Sequence, residues 1–399
     1  MRTVDVLVIG GGLVGCATAC RLAEAGATVE VVEAAYPNAG ASGANAGSLH
    51  FQLERRFLEN GDALADQAAQ ILSLNRLAIE EWRGLEAELG PALHVHMRGG
   101  LMIANTPQEV ALLEAKAVRE AAGGLSTRLI DGDEARTLAP LLSSSVVAAC
   151  HLDSEGHADP RAVTPAFAAR AVSLGARLTQ GARVVEAQRI RNGYEMRVQS
   201  AGGDVRIRAA KVLIAAGAWS GRVGELFNLH LPIFPVALLM NATERTAPLL
   251  DHLIQHVGRR LSMKQAHSGN ILIGGGWPSR MARDASGRFD PSVRAEMIES
   301  SLTGNLAVAV EAVPCVAGMN LIRSWTGVTA ITGDQLPIVG ETPQAPGVFV
   351  AAGGSAFTLG PTFARLLARR MLDEAETRLD IFSPARFSHL NSFMGMSDA

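Results

Sequence analysis

Apolar positions along this chain change period in a way that marks out its elements. Residues 4–9 (VDVLVI) form a nearly unbroken apolar run, the pattern of a strand buried on both faces. Gly10-Gly11-Gly12 follow, then helical spacing over 13–25 closed by Gly26, then a second apolar run at 28–33 (TVEVVE). The short connections predict a βαβ unit with parallel strands and a right-handed crossover. Over 36–50 (YPNAGASGANAGSLH) both periods vanish, and this stretch is predicted to be an ordered loop whose small residues let the backbone approach a ligand. Helical spacing returns over 62–89, ending before Pro91, and over 107–122.

A second α/β stretch follows Pro160. It comprises a helix at 161–174, strands near 176–187, a hairpin over 193–208 and a buried strand at 211–216 (KVLIAA). The C-terminal part has a strand at 347–352, a Gly-rich turn and a helix from about 361 to 375. Between these lie 93–152 and 232–320, which alternate in strand fashion. No internal repeat is evident. This interleaving predicts an α/β fold: a discontinuous Rossmann-type domain from 1–85, 150–228 and 320–399, with a mostly antiparallel-sheet substrate domain inserted as 86–149 and 229–319.

Composition narrows the picture. With 399 residues, 48% of them hydrophobic, the chain is long enough for two cores. A net charge of -3 and no basic run give no support to a nucleic-acid or membrane-surface partner. No segment reaches the roughly 18 unbroken apolar residues of a membrane span. A first strand starting at Val4 leaves no room for a signal peptide, so a cytoplasmic location is expected. The four cysteines (Cys16, Cys20, Cys150, Cys315) form no CxxC pair, and neither a metal nor a cluster site in this chain is expected. Cys16 and Cys20, four apart on a helix, read as small core residues.

The chemistry starts at Gly10-x-Gly12-x-x-Gly15. Gly10 permits the tight turn, Gly12 lets a diphosphate approach the backbone, and Gly15 lets the helix pack closely on the strand. Leu13 and Val14 open that helix, whose free N–H groups and positive end suit an anion. Glu33, closing the next strand with Ala34 behind it, can accept hydrogen bonds from ribose hydroxyls. Three further blocks point to FAD rather than NAD. Ser42, Ala44, Asn45, Ala46 and Gly47 follow the acidic strand end, and their block resembles the loop that amine-oxidising flavoproteins run under the pyrophosphate and flavin. Ala216, Gly217 and Trp219 follow the buried strand 211–216, and Val184 lies in the strand region before it. Gly354, Thr358, Leu359 and Gly360 precede the last helix, whose positive end would stabilise charge on a flavin ring.

With these blocks in hand, the chain from about 3 to 375 resembles the D-amino-acid oxidase type of flavoprotein, which includes glycine oxidase, sarcosine oxidase and D-amino-acid dehydrogenase. Residues 43–52 (GANAGSLHFQ) and 324–340 (SWTGVTAITGDQLPIVG) most resemble the B subunits of octopine and nopaline oxidases. Many relatives have Gly-x-Arg-Pro where this chain has Gly327-Val328-Thr329-Ala330, and Thr329 lacks the guanidinium that clamps a substrate carboxylate in some of them.

The resemblance implies noncovalent FAD and oxidation of a secondary amine by hydride transfer to flavin N5, giving an imine that water hydrolyses. It further implies a heteromer with a larger subunit and a small iron–sulfur subunit, acting on an opine-like dicarboxylate. A sarcosine, dimethylglycine, proline or D-hydroxyproline dehydrogenase subunit is the alternative, and a noncatalytic FAD-holding subunit is a third reading. The helix past 361 and the tail from Phe382 to Met396 are interface candidates. Site candidates are His50 and Gln52, which share a face if 48–52 is extended, and Lys264 and Gln265 on the alternating segment LSMKQ. Arg98 and Arg323 are possible carboxylate anchors, and Trp277 and Trp325 read as core or site wall.

Overall fold

A computed structural model describes residues 1–393. The tail positions Met394 and Met396 lie outside the described residues. The chain divides into two compact units, one of Met1–Gly43, Arg161–Val236 and Val328–Ala399, the other of Ala44–Pro160 and Ala237–Gly327.

In the first unit the predicted βαβ opens the fold: β1 (Arg2–Ile9), α1 (Leu13–Glu24) and β2 (Val29–Glu33). The sheet runs in the order Ile338–Glu341, Val348–Ala352, Gly203–Ile214, β1, β2, Arg177–Gln180. All neighbours are parallel except the Ile338–Glu341 edge. The central strands are buried on both faces, which explains their unbroken apolar runs. The hairpin Ala182–Ile190 and Gly193–Ser200 is added antiparallel to Gly203–Ile214, which absorbs the predicted strand at 211–216. Helix α1 is followed in space by Gly360–Met371, and a Cβ on Gly360 would come within 2.9 Å of Leu13, so the two helices approach as only glycine permits. That last helix ends at Met371, four residues before its expected end.

The second unit holds most of an eight-stranded sheet in the order Leu321–Thr332, Ile233–Arg245, Asn270–Gly274, Ser262–Gln265, Leu253–His256, Gly100–Ala104, Ala148–Leu152, Arg128–Asp131. Of the neighbour pairs from Ile233–Arg245 onward, only Leu253–His256 with Gly100–Ala104 is parallel. Met263 and Ile254 pack on one face against Val308 and Ala309 of the helix Glu299–Ala312. Alternation sends Ser262 and Lys264 to the other face. The helix Glu299–Ala312 was not expected from the sequence. The segment 44–85, assigned with the nucleotide domain by sequence, falls in the second unit, where Asn75 of the helix Leu72–Leu89 donates to Phe51 O at 2.7 Å. The loop predicted over 36–50 contains a short helix, Ala41–Ala44, and a strand, Ser48–Leu49.

Candidate functional site

In the first unit the Gly-rich turn is built as its sequence demands. Gly10 adopts φ +116°, and a Cβ there would lie 2.4 Å from Ala215 O. A Cβ on Gly15 would lie 2.1 Å from Gly10 O, so α1 rests directly on the turn. Gly12 caps α1 without any side chain, and Leu13 N donates to Ser42 Oγ at 3.0 Å. The helix therefore presents backbone donors beside Ser42, while Val14 and Gly15 are buried behind them. Glu33 is oriented by two backbone donors: Gly11 N to Oε2 at 2.6 Å and Ala35 N to Oε1 at 2.8 Å. Each carboxylate oxygen keeps a second acceptor position, which is what a ribose diol requires. These residues fit an adenine dinucleotide. Ala34 is exposed beyond Glu33.

The other flavin-side blocks divide. A Cβ on Gly40 would lie 3.7 Å from the Trp219 ring, so the loop ahead of Ser42 and the Ala216-Gly217-Trp219 turn are neighbours in the first unit. Gly354 is half-buried, Thr358 and Leu359 are buried, and Ser355 takes φ +60° just before the helix Gly360–Met371. Val184 is half-buried against the sheet core. Ala44, Asn45, Ala46 and Gly47 belong to the second unit. There Trp325 Nε1 donates to Ala44 O at 2.7 Å, Asn45 Oδ1 accepts from Gly47 N at 2.6 Å, and Gly47 at φ +74° leaves no room for a Cβ beside Ala158 O.

The second unit gathers polar groups on the sheet face opposite the helix Glu299–Ala312. Lys264 is 2% exposed. Burial drives its amine well below the ordinary lysine range, and Asp159 opposes that shift. Half-buried His50 places Nε2 3.2 Å from Ser262 Oγ, two residues from Lys264. Burial, with help from Lys264 and Arg56, lowers the His50 pKa, and Glu54 opposes it. His157 is pushed down to about 2 by burial and by Lys264 and its fellow imidazoles, and His96 is lowered in the same sense. His267 Nε2 lies 3.9 Å from Asp159 Oδ2 and stacks on His94 with ring centres 3.7 Å apart.

Two candidate wall residues are not free to meet a substrate. Gln52 is 1% exposed and saturated: Nε2 donates to Glu155 Oε2 at 2.8 Å, and Oε1 accepts from Lys116 Nζ at 2.7 Å. Glu155 Oε1 also accepts from Phe51 N and Gln52 N, Glu120 Oε1 accepts from Leu53 N, and Lys116 bridges to Glu120 Oε2 at 2.7 Å. Gln52 is thus a strut of a dry network that fixes the chain after His50. Gln265 follows Lys264 and so turns to the opposite face, where it accepts from Leu249 N at 2.6 Å and donates to Thr246 Oγ1 at 2.9 Å and Ala247 O at 2.8 Å. It braces a turn.

The remaining candidates are peripheral. Arg98 pairs with Asp251 at 2.9 Å, with both side chains over 60% exposed. Arg323 is exposed over the Trp325 ring, and Trp277 donates to Arg260 O while packing on the core. Burial raises the Cys16 thiol to about 12, in keeping with a core residue. Among the described residues no group of three or more His, Cys, Asp or Glu is placed to hold a metal, and no helix is long and apolar enough to cross a membrane.

A cradle of this geometry at the head of a five-strand parallel arrangement agrees with the outcome of comparison with known proteins. The family model described as FAD dependent oxidoreductase matches residues 5–370. The chain belongs to that family. As such it is an FAD-dependent oxidoreductase acting on CH–NH donors. Glycine oxidase of Geobacillus kaustophilus is 28% identical over 380 residues, covering 94% of this chain and 95% of that one. The B subunit of the opine oxidase of Rhizobium meliloti is 24% identical over 397 residues, covering 97% and 98%. Among solved structures, L-proline dehydrogenase of P. horikoshii superposes with a TM-score of 0.83 at 23% identity, covering 97% of this chain and 98% of that one. Glycine oxidase of G. kaustophilus superposes with a TM-score of 0.81 at 24% identity, covering 96% and 98%. These superpositions speak for the fold alone.

Proposed function

We propose that this chain is the amine-oxidising component of a heteromeric enzyme whose substrate is a secondary amine bearing carboxylates, an opine of the octopine or nopaline type. FAD, held noncovalently, supplies the hydride acceptor when bound. The chain's own residues bind, orient and desolvate. Glu33 and the turn Gly10–Gly12–Gly15 hold the adenosine diphosphate, Lys264 anchors a carboxylate, and His50 lines the same sheet face as a neutral imidazole. The network of Gln52, Glu155, Lys116 and Glu120 keeps that wall rigid and dry.

The observation that carries this reading is Lys264: a buried lysine side chain with no hydrogen-bond or ion-pair partner among the described residues. A site that leaves a lysine so placed is suited to an anion that comes and goes. Likeness to the opine oxidase B subunit along nearly its whole length favours the opine. The likeness to the beta subunit of the sarcosine oxidase of Arthrobacter, 26% over 404 residues, keeps the smaller secondary amines as the second reading, and both relatives are named as parts of larger enzymes. Anaerobic mixing of the FAD-loaded protein with octopine, nopaline, sarcosine, dimethylglycine, proline and D-hydroxyproline tests it. Loss of flavin colour with an opine at the lowest concentration is the expected result. Colour lost only with a small amine selects the second reading, and colour retained with all of them refutes both.

A further inference from the structure

The chain has thirty-six lysines and arginines, and only Lys116, Lys211 and Lys264 are lysine. Two of the three are partnered. Lys116 holds Gln52 and Glu120, and Lys211 donates to Met371 O and Asp373 at 2.7 Å each. Lys264 alone is buried without such a partner among the described residues. A bare ammonium in that position is unfavourable. The alternatives are an uncharged amine or an anion brought to it.

The groups around it supply that charge only in part. Asp159 is the one carboxylate acting on it, and Asp159 also faces His267. The imidazoles of His50, His96 and His157 feel Lys264 as a like charge and are themselves held neutral by burial. Arg98 adds positive charge near His96 and His157, while Glu54 and Arg56 flank His50. Among the described residues, then, Asp159 alone favours a proton on Lys264, and it does not outweigh burial.

We propose that Lys264 is the base that removes the proton from the substrate's ammonium group as the substrate's carboxylate docks beside it. This rests on the reading of the protein as an oxidase or dehydrogenase of a carboxylate-bearing amine. Such a substrate arrives as a zwitterion, and a hydride can leave its α-carbon only once the nitrogen has its lone pair back. The docking carboxylate adds its opposite charge to that of Asp159 and so restores the proton affinity of Lys264. An N–H bond of the substrate ammonium breaks, its proton forms a new N–H bond on Nζ, and the electron pair stays on the substrate nitrogen. The products are a neutral amine and a lysine–carboxylate ion pair, with no outside reagent. An arginine in the same place would bind the carboxylate yet never accept the proton. The imidazoles of His50, His96 and His157, weakened by burial, are poorer bases than a lysine amine beside a carboxylate.

Three lysines make the test direct. Protein labelled with carbon-13 at lysine Cε gives three resonances, and Lys264→Arg, or Lys264→Met should the arginine variant not fold, identifies the one from Lys264. In FAD-loaded protein at pH 8 the Lys264 resonance should sit at the free-amine position and move to the ammonium position when glutarate, a dicarboxylate without an amine, is added. In stopped-flow reduction, Lys264→Arg should turn a profile nearly flat between pH 7 and 9 into one rising about tenfold per unit, following the substrate's own neutral fraction. An ammonium resonance in the resting protein, or parallel profiles for the two proteins, overturns the assignment of the base while leaving amine oxidation standing. A flavin that no amine reduces overturns the oxidation reading, and the base with it.

Discussion

Glu155 offers the sharpest quantitative test of the dry network behind His50. Its carboxylate is fully buried, and burial pushes it up to about 7 from 4.5, against the hydrogen bonds from Gln52 that favour the charged form. The direction sets the sign. A carboxylic acid whose folded-state pKa is raised binds its proton more tightly when folded, so its contribution to stability is full below about pH 4.5 and is lost as pH rises through about 7. A shift of that size corresponds to about 3 kcal/mol. Glu155→Gln cannot titrate. The stability of the natural protein minus that of the variant should therefore fall by about 3 kcal/mol between pH 4.5 and 7.5, and every other titrating group cancels in the difference. Urea unfolding followed by tryptophan fluorescence, with Trp82 wholly buried, measures it at each pH. A difference that stays flat, or rises with pH, would refute the reasoning. It would mean that the donors on Phe51, Gln52 and Gln255 outweigh desolvation and hold Glu155 charged.

Three further outcomes follow from the geometry. Lys116→Met leaves the Glu120 carboxylate buried with only the Leu53 N–H, and should cost about 3–5 kcal/mol in the same unfolding assay, most of it regained by adding Glu120→Gln. Glu33→Gln removes the charge that Gly11 N and Ala35 N orient, and should weaken FAD binding by about tenfold or more in titrations of the apoprotein. Arg98→Ala breaks only an exposed pair with Asp251 and should leave the rate of flavin reduction within about twofold of normal.

Much of the first unit was legible because its signals are local. The turn of Gly10, Gly12 and Gly15, the acid at Glu33 and the runs of β1 and β2 each depend on neighbours a few residues away, and they reappear within one or two positions of their expected bounds. The helix Glu299–Ala312 was not legible. Its sequence, ESSLTGNLAVAVEA, mixes Gly, Thr and β-branched residues, and its hold is tertiary. Asn305 donates to Gly274 O at 2.8 Å and accepts from Asn241, and Gly304 leaves space for the Trp277 ring. Glu155 escaped for a similar reason: in DSEGHADP it looks like a solvated turn, and only the fold brings it to Phe51 and Gln52.

The misjudged site residues show where periodicity carries information and where it does not. Adjacent strand positions face opposite ways, so Lys264 and Gln265 could not both line one wall, and that conflict lay in the sequence itself. His50 and Gln52 satisfied the rule of two only on the assumption of a strand that stops at Leu49. Periodicity tells which residues share a face. It does not tell whether a polar group on that face is already satisfied, and that distinction separates Gln52 from Lys264. Gln52 has a partner for both ends of its amide, while Lys264 has none among the described residues. The clue to the latter was compositional: in a chain that uses arginine for nearly every cation, Lys264 is a buried lysine without the hydrogen-bond and ion-pair partners that Lys116 has, and giving up a proton is a property that a guanidinium does not share.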